Sequence, residues 1–179
     1  MKVVSGKKRL RIFLADLTHT GTRVATESFP LNVGYLASYL KMKFGEQVDI
    51  RLFKYPDKLH EALKGAECDL LGCSTYVWND NLGEWAFKTA RKFNPDVITV
   101  RGGWNFPLGG NQQNGYLKNH PYTDIVCLNE GETAISAVVE RLLGLGDILQ
   151  WRKEPIGGGY LSRGGWRWRH GCWRAIGSD

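Results

Sequence analysis

The sequence predicts an α/β fold: a doubly wound, five-stranded parallel sheet with helices on both faces. Three observations predict it. Apolar runs of strand length alternate with amphipathic stretches of helical length five times between residues 9 and 145. The runs are continuous rather than alternating, as strands buried on both faces require. A turn or helix-stop signal separates the elements. Such alternation is joined by right-handed crossovers into a parallel sheet. Five units favour the order 2-1-3-4-5, the flavodoxin-like (Rossmann-like) arrangement, in which a ligand crevice opens at the carboxyl ends of strands 1 and 3.

The elements follow in order. "RLRIFLAD" (9–16) reads as the first strand, and after Pro30 "LNVGYLASYLKMKF" sets Val33, Leu36, Tyr39, Leu40 and Phe44 on one helical stripe, stopped by Gly45. "QVDIRLFKY" is the second strand, and "DKLHEALKG" a short helix with Asp57 as cap and Gly65 as terminator. "CDLLGCST", nearly all apolar, is the third and central strand. "NDNLGEWAFKTARKFN" spaces Leu82, Trp85, Ala86, Thr89 and Phe93 helically before Asn94-Pro95. "DVITVRGG" is the fourth strand, "NGYLKNHP" a short helix, "TDIVCLNEG" the fifth strand and "ETAISAVVERLLGLG" the last helix.

The 179 residues, 42% hydrophobic, suffice for one domain with a buried core plus an appendage. No run approaches the ~18 apolar residues of a membrane span, and the basic start lacks the apolar core of a signal peptide, so a cytoplasmic location is expected. Cys68, Cys73, Cys127 and Cys172 form no tight metal pair and read as reduced, structural thiols. The net charge of +6 is concentrated at the end: residues 151–179 carry six Lys and Arg against two Asp and Glu. Arginines interleaved with tryptophans can bind phosphate and stack on bases. So short a tail lacks a folded platform, which argues against a nucleic-acid partner.

With this topology the loops that matter are 17–30, 74–80, 102–114 and 129–132. "STYVWND" places hydroxyls and the pair Tyr76 and Trp78 at a strand end, where they can stack on a flat ligand or pack beneath a loop. Gly102-Gly103 lets a ligand approach backbone, or simply makes a turn. Glu130 and Glu132 flank Gly131 where a helix starts, as caps or as acceptors for ligand amides. Thr18-x-Thr20-Gly21 resembles the phosphate loop of flavodoxins, which makes a flavin-binding electron carrier using Thr18, Thr20 and Trp78 the alternative reading. Pro30 and the residues before it separate that loop from its helix, however, and a phosphate would lack the helix end that binds it. A receiver-type signalling domain needs clustered acidic residues around strand 1 and a lysine after strand 5. Asp16 stands alone, and Asn129-Glu130 replaces the lysine.

Taken together, "FPLNVGYLASYLK", "CDLLGCSTYVWN", "NPDVITVRGGWNFP" and "TDIVCLNEGET" resemble, in order and spacing over about residues 9–143, the amino-terminal cobalamin-binding domain of cobalamin-dependent radical S-adenosylmethionine enzymes. One mark departs: Asn129-Glu130-Gly131-Glu132 stands where a glycine often comes first. The resemblance implies cobalamin as cofactor, its nucleotide tail tucked into the domain and no histidine on cobalt. Classical cobalamin domains carry Asp-x-His-x-x-Gly after strand 1; here the spacing is Asp16-x-x-His19-x-Gly21, so no metal ligand is assigned. Ser74, Thr75 and Tyr76 are implied to line the tail pocket and lower corrin face. Val77, Trp78 and Asn79 would border the corrin, with Thr18 and Trp104 also in the cofactor-binding set. Gly102 and Gly103 would admit the tail, and Asn129, Glu130, Gly131 and Glu132 would contact ring amides.

Radical chemistry of this kind needs a Cys-x3-Cys-x2-Cys motif for its [4Fe-4S] cluster, and the sequence contains none. S-adenosylmethionine and the cluster are therefore expected only in a further radical domain, on a parent or separate chain, with methyl transfer as the implied chemistry and no catalytic residue here. The expected organisation is a disordered basic start at 1–8, the cobalamin-binding domain at 9–145, and a Gly-, Arg- and Trp-rich linker or truncated hairpin and tail at 146–179. "PIGGGYLSRGG" resembles the hairpin that leads into the radical barrel; the likeness stops after Gly165.

Overall fold

The computed structural model describes residues 9–21, 29–65, 68–103, 105, 116, 119–127 and 130–145, and the backbone of 160–162, 166–169 and 172–175. Its parallel strands are β1 (Leu10–Ala15), β2 (Val48–Phe53), β3 (Leu70–Ser74), β4 (Ile98–Gly102) and β5 (Ile125–Cys127). They lie in the order 2-1-3-4-5, with β3 central as its apolar run requires. Register is continuous across the sheet: Ile12 stands opposite both Ile50 and Leu70, and Leu70 in turn opposite Ile98.

Helices α1 (Leu31–Phe44) and α4 (Gly131–Leu145) cover one face, where Ile12, Leu14, Leu40, Val100, Ile135 and Val139 form the core. Helices α2 (Pro56–Lys64) and α3 (Asp80–Phe93) cover the other, over Phe13, Leu59, Leu71, Phe87 and Val97. The strands thus send alternate side chains into two separate apolar layers. Among the described residues no helix is long and apolar enough to cross a membrane.

Two local expectations need correction. The buried stripe of α3 runs through Gly83, Ala86, Phe87 and Ala90, while Trp85 faces outward. The small residues Gly83, Ala86 and Ala90 let that side of the helix lie close, with Arg101 against Gly83 and the Phe87 ring, while Leu82 and Phe93 of the expected stripe pack half-buried on the core. In α2 the cap is Tyr55 and Pro56 is the first helical residue, so Asp57 sits in the first turn instead. Proline's fixed φ suits that opening position, and a carboxylate one residue on still favours the helix end.

Of the predicted helix at 114–121, the described residues show a helical bond from the His120 N–H to the Tyr116 carbonyl at 3.1 Å. Beyond α4, where little periodicity is read, the backbone forms β6 (Tyr160–Ser162), β7 (Trp166–Arg169) and β8 (Cys172–Ala175). β6 adds antiparallel to β5 as a sixth strand, and β7 pairs with β8. Backbone pairing at an open sheet edge needs no alternation of side chains.

Candidate cofactor site

A cleft of about 340 Å³ opens at the carboxyl ends of β3, β4 and β5, between α1 and α4. Its floor is apolar: Leu14, Val33, Leu36, Val100 and Ile135. Glycines shape it in three ways. At Gly72 a Cβ would come 2.9 Å from Leu14 Cδ2, and at Gly131 one would come 3.2 Å from Leu36 Cδ2, so both admit close packing around the cleft. Gly103 has φ +117°, a conformation open to glycine alone among common residues. Gly102 differs, for its nearest neighbour to an added Cβ is Cys127 Cβ at 3.9 Å. The protein itself leaves that space free.

The polar rim begins with Asn32, in the first turn of α1. Its Oδ1 accepts the Val33 N–H at 2.7 Å, and its Nδ2 donates to Ser74 Oγ at 2.6 Å and Tyr76 OH at 3.1 Å. Asn79 then fixes the loop after β3. Its Oδ1 accepts the Tyr76 N–H at 2.7 Å, while Nδ2 reaches the Leu17 carbonyl at 3.2 Å and Asp16 Oδ1 at 3.3 Å. The rings of Tyr76 and Trp78 stack, with centroids 4.6 Å apart and planes within 7°. His19 Nε2 lies 2.8 Å from the Trp78 carbonyl oxygen, so that nitrogen carries the proton and donates it.

The predicted residues therefore divide. Ser74, Tyr76, Gly102, Gly103, Gly131 and Glu132 border the cleft. Val77 and Trp78 stand outside it, 79% and 66% exposed at the same end of the sheet. Thr75 is buried, with its N–H on the Gly102 carbonyl at 2.7 Å; among the described residues its Oγ1 has no hydrogen-bond partner. Asn79 is buried and holds the loop, and Glu130 is exposed. Thr18 lies off the cleft, its N–H held by the Lys54 carbonyl at 3.0 Å. Trp104 and Asn129 fall outside the described residues. Sequence reading missed Asn32, Tyr35 and Leu36 of α1, Cys127 of β5 and Ile135 of α4. Asn32 alone had a signal: a polar residue in the first turn of an amphipathic helix facing a ligand edge.

Burial pushes the Cys73 and Cys127 thiols up to about 12, so both are neutral beside the cleft. Burial also raises the Asp16 carboxyl above its ordinary 3.8, against the pull of Asn32, Lys54 and Asn79. A carboxyl that ionises less readily folded than unfolded gives the native state the extra proton between the two pKa values. Stability therefore falls as pH rises through that window, and the loss persists above it. Asp16→Asn keeps an oxygen for Asn79 and removes the charge. Its thermal midpoint is expected above wild type near neutral pH and level with it well below 3.8, as read by circular dichroism.

On the opposite face the end of β4 carries Arg101, 1% exposed. Its guanidinium meets Asp80 through Nη1, Glu84 at 2.7 Å through Nη2, and Thr123 Oγ1 at 3.2 Å through Nε. His120 Nε2 lies 3.3 Å from the second Asp80 oxygen, and the Phe87 ring lies 5.3 Å from the guanidinium carbon. This network ties α3 to β4 and to the segment before β5.

No protein-family model matches the chain. In sequence it is similar to the cobalamin-dependent radical SAM methyltransferase TokK of Streptomyces tokunonensis, 34% identical over 68 residues, which is 38% of this chain and 10% of that protein. It is also 28% identical over 135 residues to the anaerobic magnesium-protoporphyrin IX monomethyl ester cyclase of Rubrivivax gelatinosus, covering 72% of this chain and 23% of the cyclase. The chain thus spans a quarter or less of these curated relatives. Among solved structures, the cobalamin-dependent S-adenosylmethionine radical enzyme OxsB, with aqua-cobalamin and S-adenosylmethionine bound, superposes with a TM-score of 0.59 at 15% identity, over 86% of this chain and 20% of that one. A CheY-like receiver domain protein of Methanospirillum hungatei gives 0.54 at 10% identity, over 78% and 97%. At such identities the solved structures share the fold.

Proposed function

We propose that this chain is a cobalamin-binding module of the radical S-adenosylmethionine type, holding the corrinoid without a histidine on cobalt. The observation that carries the reading is Gly102, where the fold has room for a side chain and the sequence leaves the space open onto the cleft. A cleft of about 340 Å³ admits a nucleotide base but not a corrin macrocycle. Tyr76, Val77 and Trp78 would hold the ring at the rim, and the space beside Gly102 would admit the tail to the apolar floor. An apolar floor with a few placed polar groups is what a large amide-edged ligand needs for position and orientation. His19 turns its Nε2 to the Trp78 carbonyl, so its hydrogen bond shapes the loop.

Bound cobalamin supplies a cobalt centre able to carry a methyl group. This chain binds the tail, orients the ring and excludes water from the floor. The radical step belongs to a separate domain. The similarity to TokK and OxsB supports the reading, since both are cobalamin-dependent enzymes by name.

The test is anaerobic reconstitution of the full chain with hydroxocobalamin or flavin mononucleotide, then desalting and an absorption spectrum of the protein, for wild type and His19→Ala. The expected result is retained corrinoid with one spectrum in both proteins. A spectrum that changes in His19→Ala overturns the histidine-free arrangement. Flavin retained in place of corrinoid, or neither retained, overturns the module itself.

A further inference from the structure

The cleft has a hydrogen-bond polarity, and Asn32 sets it. With Oδ1 on the Val33 N–H, the amide can only turn its nitrogen toward the sheet; the reverse would aim one N–H at another. Nδ2 therefore donates to both hydroxyls, Ser74 Oγ at 2.6 Å and Tyr76 OH at 3.1 Å. Each hydroxyl has spent an acceptor position, and its own hydrogen must point away from Asn32. Among the described residues neither hydroxyl donates to another protein group. Both border the cleft, whose floor offers Leu14, Val33, Val100 and Ile135. The cleft thus presents two O–H donors over an apolar surface.

We propose that Asn32 makes this cleft specific for a heteroaromatic base that brings a bare ring nitrogen and no N–H donors. The inference rests on the corrinoid reading above. Dimethylbenzimidazole, the tail base of cobalamin, meets the requirement with one free ring nitrogen and two methyl groups for the floor. Adenine in the same position adds an amino group that meets two O–H donors at Ser74 and Tyr76 and apolar side chains over the floor, with Glu132 at the border as the side-chain acceptor left to it. A buried donor without an acceptor forfeits about tenfold or more in affinity. Ser74 and Tyr76 read the base, and Asn32 is the positioning residue that holds them in the donating sense.

The test is equilibrium binding to the full chain, followed by absorbance, of three probes: hydroxocobalamin, the adenine-based cobamide, and cobinamide, which lacks the tail. With each affinity referred to the base-off form of its cobamide, whose population in free solution is read from the pH titration of the same absorbance, wild type is expected to prefer the dimethylbenzimidazole tail over the adenine tail by about tenfold or more. Ser74→Ala should weaken hydroxocobalamin by roughly three- to tenfold and leave cobinamide unchanged, which a general loss of structure would not do, and Tyr76→Phe, at a residue that also meets the ring, should weaken hydroxocobalamin more than cobinamide. Asn32→Asp turns both hydroxyls to donate toward its carboxylate, so the cleft gains acceptors and the preference should shrink or reverse. Equal binding of the two cobamides by wild type, through Glu132 or otherwise, overturns the inference. So does an unchanged preference in Asn32→Asp with cobinamide binding intact. Failure of every corrinoid to bind overturns the underlying reading instead.

Discussion

Gly103→Ala is expected to lower the stability of this chain by about 2–4 kcal/mol and to abolish the cleft's binding edge. Two costs combine at this position. The backbone sits at φ +117°, which an L side chain rarely adopts, and the new carbon would stand 2.3 Å from the Thr75 carbonyl oxygen and 3.0 Å from its nitrogen. Those atoms are backbone and cannot turn aside as a side chain could. Relief requires the ends of β3 and β4 to part, and their link, the 2.7 Å bond from the Thr75 N–H to the Gly102 carbonyl, is lost with them. Urea unfolding measures the effect. Gly21→Ala, where nothing lies within 4 Å of the added carbon, is the matched control and should fall within ~0.5 kcal/mol of wild type. A Gly103→Ala protein as stable as that control would refute the geometry.

Arg101→Met should be worse, with a loss of about 3–5 kcal/mol. The substitution keeps a long apolar stem beside Phe87 but takes the guanidinium from two half-buried carboxylates, leaving Asp80 to His120 and Glu84 to the Tyr122 N–H. Most of the loss belongs to the uncompensated acids, not to the pair's attraction. Adding Asp80→Asn and Glu84→Gln to Arg101→Met should therefore recover much of the stability, and the coupling is read from the unfolding free energies of the four proteins in the cycle. Arg101→Lys should recover little, since one ammonium cannot span two carboxylates and Thr123 as the guanidinium fork does. If the triple variant is no more stable than Arg101→Met, the charges are not what the arginine serves.

Much of this architecture is legible in the chain because it rests on local signals. Continuous apolar runs such as Leu70-Leu71 mark strands, Gly45 and Pro95 mark ends, and alternation of the two periodicities dictates a parallel sheet. The border of the candidate cleft was legible at Gly102, Gly103 and Gly131, beside strand and helix ends, and at Ser74 and Tyr76, where the central strand closes. The rest depends on partners far apart in sequence. Arg101 reads as one more charged residue near a strand end until the fold brings Asp80, Glu84 and Thr123 around it. Asn32 likewise becomes a site residue only when α1 lies beside β3. Trp78 was expected at the ligand for its flat ring at a strand end and for the family resemblance of its loop, and its ring stands exposed.

The cleft draws its walls from Leu14 at one end of the chain to Ile135 toward the other. During synthesis, a nascent chain that has emerged as far as Gly103 already holds β1, β3 and β4 with the Asn32 trio, yet it lacks the side that α4 will close. A ligand seated there cannot template the early strands. The full set of walls exists only after α4 has been made, so a ligand that needs all of them meets a domain already folded.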